Sequence, residues 1–363
     1  METRVTKNVS RKKLLLKRFL IVILVILSCG AAYSYYLVKN AESKLEVTYK
    51  PIENHEENKV IEATKSMSIL LMGVDTGNSE RTETWAGNSD SMLVMTINPK
   101  TKKTTITSLE RDILTEIEHD GETIQAKLNA AYQMGGVDLA IPTIEKMLNM
   151  KFDHYLLINM NGLAKLVDAV GGVDVENKLG FPITIQDQEP DNQIIIGTGK
   201  QHLNGEEALV YSRMRYHDPE GDYGRQKRQR EVIQAIISKM ISFDSLGNYS
   251  EILEAVSTNI QTDIPLNSSN MMNLLGYKSS LNNIEQFQLE GDDATIAGIS
   301  YQIAKADSLL EIQNRIREEL GEDTVTKLKT NAVINGSTSH KDLDEPKSVN
   351  TDDDSYFTYK KEE

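Results

Sequence analysis

The feature that most limits this chain lies near its start, where Arg11, Lys12, Lys13, Lys17 and Arg18 precede an apolar run from Phe19 to Val38. As a helix rising ~1.5 Å per residue, that run is about 30 Å long, which matches a hydrocarbon core. A cleaved signal peptide is the rival reading. It calls for a shorter apolar stretch and small residues at a cleavage site, whereas Tyr33, Tyr35 and Tyr36 close this run like an interfacial belt. The expected layout is a basic cytoplasmic tail over 1–18, a single transmembrane helix over 19–38 and everything from about Lys39 outside the cell, by the positive-inside rule. Chemistry done there has no cytosolic ATP to draw on.

The 363 residues, 39% hydrophobic and 26% charged, suffice for one substantial core with appendages. A net charge of -14 argues against electrostatic capture of nucleic acid, which relies on Lys and Arg displacing counterions. The one cysteine, Cys29, sits in the apolar run, so this chain builds no internal disulfide and no cysteine metal cluster.

Residues 39–66 are polar and lack a sustained period, as expected of a stalk. A folded domain is expected over 67–325. The run Ile69 to Val74, followed by Asp75, reads as a buried strand ending at a polar loop. Met92–Ile97 and Thr104–Leu109 read as two more strands, joined into a hairpin by Asn98, Pro99, Lys100 and Thr101. Helical spacing occupies Leu128–Met134 and Leu139–Met150, then a strand over His154–Asn159 precedes a helix over Gly162–Val170 that stops at Gly171 and Gly172. A long amphipathic helix is expected over Arg225–Ile241, with others near Tyr249–Ser257, Asn270–Leu275 and Ala306–Leu320. Strand alternating with helix predicts an α/β layered domain around a central sheet. The tail over 326–363 loses apolar content, contains Asp352, Asp353 and Asp354, and is expected to be disordered.

Three segments place charge where a packed element would not want it. Asp75 follows one strand and Asp90 opens the next, which brings two carboxylates toward one sheet edge. Such a pair suits Mg²⁺, and Mn²⁺ after it, because Mg²⁺ uses one or two carboxylates plus phosphates and water. The plainer reading makes both aspartates caps or loop residues. Arg111 ends a strand, where it either meets a ligand or pairs with Glu110 or Asp112. The densest segment holds Arg213, Arg215, Asp218, Asp222, Arg225, Arg228, Gln229 and Arg230. In an extended Arg-x-Arg, Arg213 and Arg215 point to one face, and Arg225 and Arg228 share a helix face. Arginines gathered at a helix N-terminus form an anion site, since free N–H groups and guanidinium forks both favour phosphate oxygens. The alternative is a solvated charged face balanced by Asp218, Asp222 and Glu231. His217 is read as a surface residue, and His154 stays open between core and function.

The ordered series Ile69–Asp75, Ser89–Met92, Asn98–Thr101, Arg111–Asp112, Lys127–Tyr132, Gly135–Gly136, Val167–Val173 and Arg213–Arg230 resembles the LytR-CpsA-Psr family of cell-wall ligases. The resemblance covers about Ser68 to Ile236 and extends to the single span after a short tail. It implies an α/β/α domain with a central mixed sheet, whose apolar tunnel holds a polyprenyl chain and whose arginine-rich mouth holds the pyrophosphate with Mg²⁺. Asp75 and Asp90 resemble the metal-site aspartates. Arg111, Arg213, Arg215 and Arg225 resemble the pyrophosphate-binding arginines, with Asp222 orienting them or serving as base; Arg228 and Gln229 follow by position. Many members carry an arginine just before the Ser-Asp pair, where this chain has Asn88; Arg81 in the same loop is the substitute. Arg111, Arg213 and Asp222 are the implied catalytic set.

The implied activity is transfer of an anionic glycopolymer, a teichoic acid or capsular polysaccharide, from polyprenyl pyrophosphate to peptidoglycan. By family analogy the acceptor is the C6 hydroxyl of N-acetylmuramic acid. The rivals are a polyprenyl-pyrophosphate hydrolase, a non-catalytic lipid or polymer carrier, and a membrane-bound transcriptional regulator. The last would need a cytoplasmic DNA-binding module, yet only about eighteen residues precede the span.

Overall fold

The computed structural model describes residues 60–75, 85–185, 193–240 and 257–334, together with residues 39, 43, 45–52, 252 and 255. The expected cytoplasmic tail and span, Arg81, much of the helix expected near 249–257 and the tail beyond 334 lie outside the described residues. Among the described residues no helix is long and apolar enough to cross a membrane.

In chain order the strands are β1 (Met67–Asp75), β2 (Asn88–Asn98), β3 (Lys103–Leu109), β4 (Leu114–His119), β5 (Glu122–Lys127), β6 (His154–Asn159), β7 (Val173–Asn177), β8 (Gly199–Leu203), β9 (Ile260–Thr262), β10 (Ile284–Gln288), β11 (Gly291–Ile296) and β12 (Ile299–Ala304). The helices are α1 (Ala130–Leu148), α2 (Met160–Ala169), α3 (Gly205–Arg213), α4 (Asp222–Met240), α5 (Ser268–Leu275), α6 (Lys278–Leu281) and α7 (Ala306–Leu320).

Six strands form one sheet in the order β10-β3-β2-β1-β6-β9. It is mixed: β1 runs parallel to β6 and β3 to β10, while β1–β2, β2–β3 and β6–β9 are antiparallel. Successive side chains of a strand point to opposite faces, and each face here has its own cover. Leu70, Met72 and Val74 of β1 join Met92 and Val94 of β2 on one face, against Ile141, Ile144 and Met147 of α1 and Leu309, Ile312 and Ile316 of α7. Ile69, Leu93, Met95, Ile97 and Ile106 face the other way, onto Tyr277, Ile233 and Ile237 of α4, Leu274 of α5 and Leu281 of α6. Helices on both faces of a central mixed sheet make this the expected α/β layered domain. A further apolar cluster joins α2, α3 and the β7–β8 hairpin to Val232 and Ile236 of α4.

Local sequence explains the joints. The side chain of Asn98 accepts hydrogen bonds from the backbone N–H groups of Lys100 and Thr101, at 3.0 and 3.2 Å, and closes the β2–β3 hairpin. The two helical stretches expected around residues 128–150 are halves of α1, bent where Gly135 and Gly136 leave helical geometry. Asn159 caps α2 by accepting from Gly162 N–H at 2.7 Å, and Gly171 and Gly172 follow its end at φ +81° and +83°, a conformation costly for other residues.

The ordered packing reaches beyond the expected limits of 67 and 325. Leu45, Thr48, Ile52 and Ile61 are buried, Tyr49 bridges Thr262, and Ala332 bridges Thr115. Scattered apolar residues in those polar stretches add to existing edges, where no periodic pattern is needed. The hairpins β4–β5, β7–β8 and β11–β12 also escape the sequence reading, because their strands are short and carry Glu, Asp, Lys and Gln.

Helices α2 and α3 touch at Gly205, whose N–H donates to Asp168 Oδ1 at 2.7 Å. A methyl group there would meet the backbone oxygen of Ala164. Gly205→Ala is therefore expected to lower unfolding free energy by ~1–3 kcal/mol, as overpacking does. An unchanged denaturation midpoint in urea would contradict this contact.

Candidate active site

Strand directions bring distant residues to one rim. β1 leaves the sheet at Asp75, and its antiparallel neighbour β2 enters there, with Asp75 opposite Asn88 and a register slip between Gly73 and Val74. β3 ends at Leu109, opposite Met92, so Glu110 and Arg111 follow at the same end. β6 runs parallel to β1 and places Asn159 beside Val74, which brings Met160 to the rim. Onto these strand ends come the last residue of α3, Arg213, and the first turns of α4. Between them the chain is extended at Met214 (φ -56°, ψ 130°), which lets Arg213 and Arg215 reach one space.

That space is a cavity of about 160 Å³ lined by Asp75, Asp90, Arg111, Arg213, Arg215, Arg225 and Gln229, with Met160, Thr184, Ile185, Met214, Tyr216 and His217. Arg111 Nη1 lies 2.7 Å from Asp90 Oδ1, and Arg213 Nη2 lies 3.4 Å from Asp75 Oδ2. Arg225 Nη2 donates to Asp222 Oδ2 at 2.9 Å and reaches the backbone oxygen of Asp90 at 3.5 Å. Arg215 stacks on Tyr216, 4.8 Å from the ring centre, and donates to its hydroxyl at 3.0 Å. In a chain of net charge -14, four guanidinium groups here face two carboxylates.

Burial and charge oppose each other at this rim. Burial works against the charge of Arg111, but Asp90, Asp112 and Asp222 outweigh it and hold the guanidinium above its ordinary range. Arg225 goes the other way: burial and the nearby Arg111 lower it despite Asp222. Asp222 is held below the usual carboxylate range, since Arg225 and Arg111 overcome its burial. Among the described residues, buried polar atoms without a hydrogen-bond partner gather here: Asn88 Oδ1, Ser89 Oγ, Arg111 Nε, Asp222 Oδ1, Arg225 Nε and Gln229 Oε1. Of these, Ser89 Oγ, Arg111 Nε and Arg225 Nε can donate, and unsatisfied donors beside excess positive charge suit an anion with several oxygens. An adjoining cavity of about 340 Å³ is lined by Phe181, Pro182, Thr184, Met214 and His217, which offers an apolar flank to the same mouth.

The sequence-derived set is mostly brought together, with three departures. Arg228 lies outside the cavity wall. Its side chain is 6% exposed; Nε donates to the Tyr211 carbonyl at 2.8 Å, and its other nitrogens engage the Asp218 carboxylate and the Met214 carbonyl. Arg228 thus fixes the loop that presents Arg215. Asp222 stands behind Arg225 and does not line the cavity, a place suited to orienting Arg225 and poor for taking a proton from a substrate. Arg81 lies outside the described residues. Conversely, His217, left outside the site on sequence grounds, is exposed as expected and yet lines both cavities, as does Thr184. No charge pattern marks Thr184 or Met160, and only the fold finds them.

Asp75 and Asp90 supply oxygen donors to one cavity, as a hard divalent cation requires, and no group of three or more His, Cys, Asp or Glu able to hold a metal occurs among the described residues. Two carboxylates alone make an incomplete site. Mg²⁺ tolerates that when substrate phosphates complete it, so the donor set fits.

The sequence model described as the LytR_cpsA_psr family matches residues 33–318. The chain belongs to the LytR-CpsA-Psr family. It is 48% identical over 329 residues to Biofilm regulatory protein A of Streptococcus mutans, covering 89% of this chain and 81% of that protein. It is 40% identical over 307 residues to the polyisoprenyl-teichoic acid–peptidoglycan teichoic acid transferase TagU of Enterococcus faecalis, covering 83% and 94%. Among solved structures, TagT bound to LIIa-WTA is similar with a TM-score of 0.61 at 27% identity, covering 75% of this chain and all (100%) of that one.

The two roles of arginine in this LytR-CpsA-Psr domain separate by stability. Arg228→Ala strands the Asp218 carboxylate, 1% exposed, and is expected to cost ~3–5 kcal/mol. Arg215→Ala touches only a partly exposed pair and should stay within ~0.5 kcal/mol of the parent. Equal losses of the two variants in thermal unfolding would contradict the division.

Proposed function

We propose that this protein transfers a glycopolymer from a polyprenyl-pyrophosphate carrier to peptidoglycan, working as a membrane-anchored enzyme with its domain outside the cell. The observation that carries the reading is the convergence of Arg111, Arg213, Arg215 and Arg225 with Asp75 and Asp90 around one cavity. The relatives' printed names, a teichoic acid transferase and a TagT bound to LIIa-WTA, support it. A teichoic acid is the polymer class these relatives favour.

In this reading the diphosphate occupies the arginine mouth, and the first isoprene units lie along Phe181, Pro182 and Met214. An acceptor hydroxyl of peptidoglycan forms a bond to the sugar-linked phosphorus, the bond from that phosphorus to the bridging oxygen breaks, and polyprenyl phosphate leaves with the electron pair. The hydroxyl proton passes to a base in the mouth or to solvent. Phosphoryl transfer needs positioning and charge stabilisation above all, and the guanidinium groups supply both without external energy. Arg225, buried, and Arg111, partly buried, are aimed by Asp222 and Asp90 and need little rearrangement to meet phosphate oxygens. Asp75 and Asp90 would hold Mg²⁺, or Mn²⁺ in its place, which adds positive charge at the diphosphate when bound. Their pairing with Arg213 and Arg111 keeps both carboxylates at the mouth.

The test is incubation of the detergent-solubilised protein with lipid-linked teichoic acid and peptidoglycan. Polymer fixed to the wall is expected, with Arg213→Ala and Asp90→Ala each lowering kcat/KM by about 10²-fold or more. Free phosphorylated polymer with bare wall would instead establish hydrolysis. Chelation by EDTA is expected to suppress turnover and added Mg²⁺ to restore it; chelator-insensitive turnover would remove the metal from the reading.

A further inference from the structure

Behind the arginine mouth lies a buried acidic pair. Glu110 follows β3, is 1% exposed and accepts a hydrogen bond at Oε1 from Gln288 Nε2 at 3.1 Å. The same amide reaches Gln226 Oε1 at 3.3 Å, and Gln226 Nε2 donates to Asp222 Oδ2 at 3.0 Å. The Glu110 and Asp222 carboxyl groups adjoin closely enough for each to shift the other's proton affinity. Glu110 is buried with no ion pair among the described residues, which favours its neutral form, and a neutral carboxyl can donate where two carboxylates could only accept. Asp222 Oδ1 is placed to receive that hydrogen bond. It is buried 2.8 Å from Arg225 Nη2 yet receives no hydrogen bond among the described residues, because that N–H is given to Oδ2.

The surroundings decide which carboxyl holds the proton. Asp222 faces Arg225 and Arg111, which favour its anion. Glu110 faces Asp222, Gln288, and at longer range Arg225, Arg230 and Tyr223, so burial and the Asp222 charge dominate. Together they push Glu110 up to about 8.

We propose that Glu110 is a positioning residue of the transfer site: neutral, it donates its carboxyl proton to Asp222, and so keeps Asp222 turned to Arg225 and Arg225 aimed at the diphosphate. The link to diphosphate rests on the transfer reading; the shared proton does not. Once Glu110 ionises, two carboxylates repel across the pair and Arg225 is drawn back from the mouth. The sign for stability follows. The folded protein holds the proton at pH values where the unfolded chain has released it, so the stability conferred is complete below the ordinary glutamate value of 4.5. It declines as pH rises toward about 8 and is constant above.

The experiment uses the full detergent-solubilised chain, Glu110→Gln and Glu110→Ala, with two readouts on either side of pH about 8. Difference infrared spectra are expected to show a protonated-carboxyl stretch in the parent on the acid side, lost on the alkaline side and absent from Glu110→Gln. Affinity for farnesyl pyrophosphate should fall about tenfold across that pH in the parent, stay nearly level in Glu110→Gln, whose amide still donates, and be about tenfold weaker at every pH in Glu110→Ala. A missing acid band, or a Glu110→Gln profile that follows the parent's, overturns the proposal. If farnesyl pyrophosphate binds no form of the protein, the transfer reading falls and Glu110's part in aiming at diphosphate falls with it. The infrared band then decides the shared proton by itself.

Discussion

Everything at this site depends on holding guanidinium groups in a partly buried place without letting carboxylates neutralise them fully. Removing a charge from water costs several kcal/mol unless a partner and further hydrogen bonds compensate. The domain compensates unevenly. Arg111 has Asp90 at 2.7 Å, whereas Arg225 has Asp222 but also feels Arg111, and the buried Nε atoms of both arginines lack a hydrogen-bond partner among the described residues. The remaining demand for negative oxygen is what a diphosphate meets.

The sheet and α4 make this imbalance stable. Helical phase gives α4 three faces. Arg225 and Gln229, four residues apart, look into the cavity. Arg228 lies in line with Val232 and Ile236 and is consumed in holding the 214–218 loop. Arg230 lies with Ile233 and Ile237 against the sheet, bonded to Ser108, Gln286 and Gln288. Arg228 and Arg230 are structural supports for Arg215, Arg225 and the Glu110 pair. Gly224 permits the arrangement, since a side chain there would meet the Asp218 carboxylate that Arg228 binds.

Much of this was legible in the sequence wherever a period or a turn residue had no competitor. Apolar runs gave β1, β2, β3 and β6, Asn98 marked the hairpin, and the glycines at 135–136 and 171–172 marked a bend and a stop. Asp75 and Asp90 were expected at one edge, and the antiparallel register puts them there. Which arginines face a ligand was less legible. A spacing of three suggested that Arg225 and Arg228 share a face, but the apolar side of α4 claims Arg228, and only tertiary packing decides that phase. In the sequence Glu110 is only a neighbour for Arg111, because nothing local shows that β3 and α4 bring it against Asp222. Thr184, Met160 and His217 come to the mouth from separate loops and strand ends, without a shared pattern along the chain.

The most direct measurement is a crystal structure of the protein with a short-chain polyprenyl diphosphate and Mg²⁺. The diphosphate is expected among Arg111, Arg213, Arg215 and Arg225, the cation between it and Asp75 and Asp90, and the isoprene chain leaving past Met214 and Phe181. A diphosphate seated away from these four guanidinium groups, with the Arg111–Asp90 and Arg213–Asp75 pairs undisturbed, would contradict that placement.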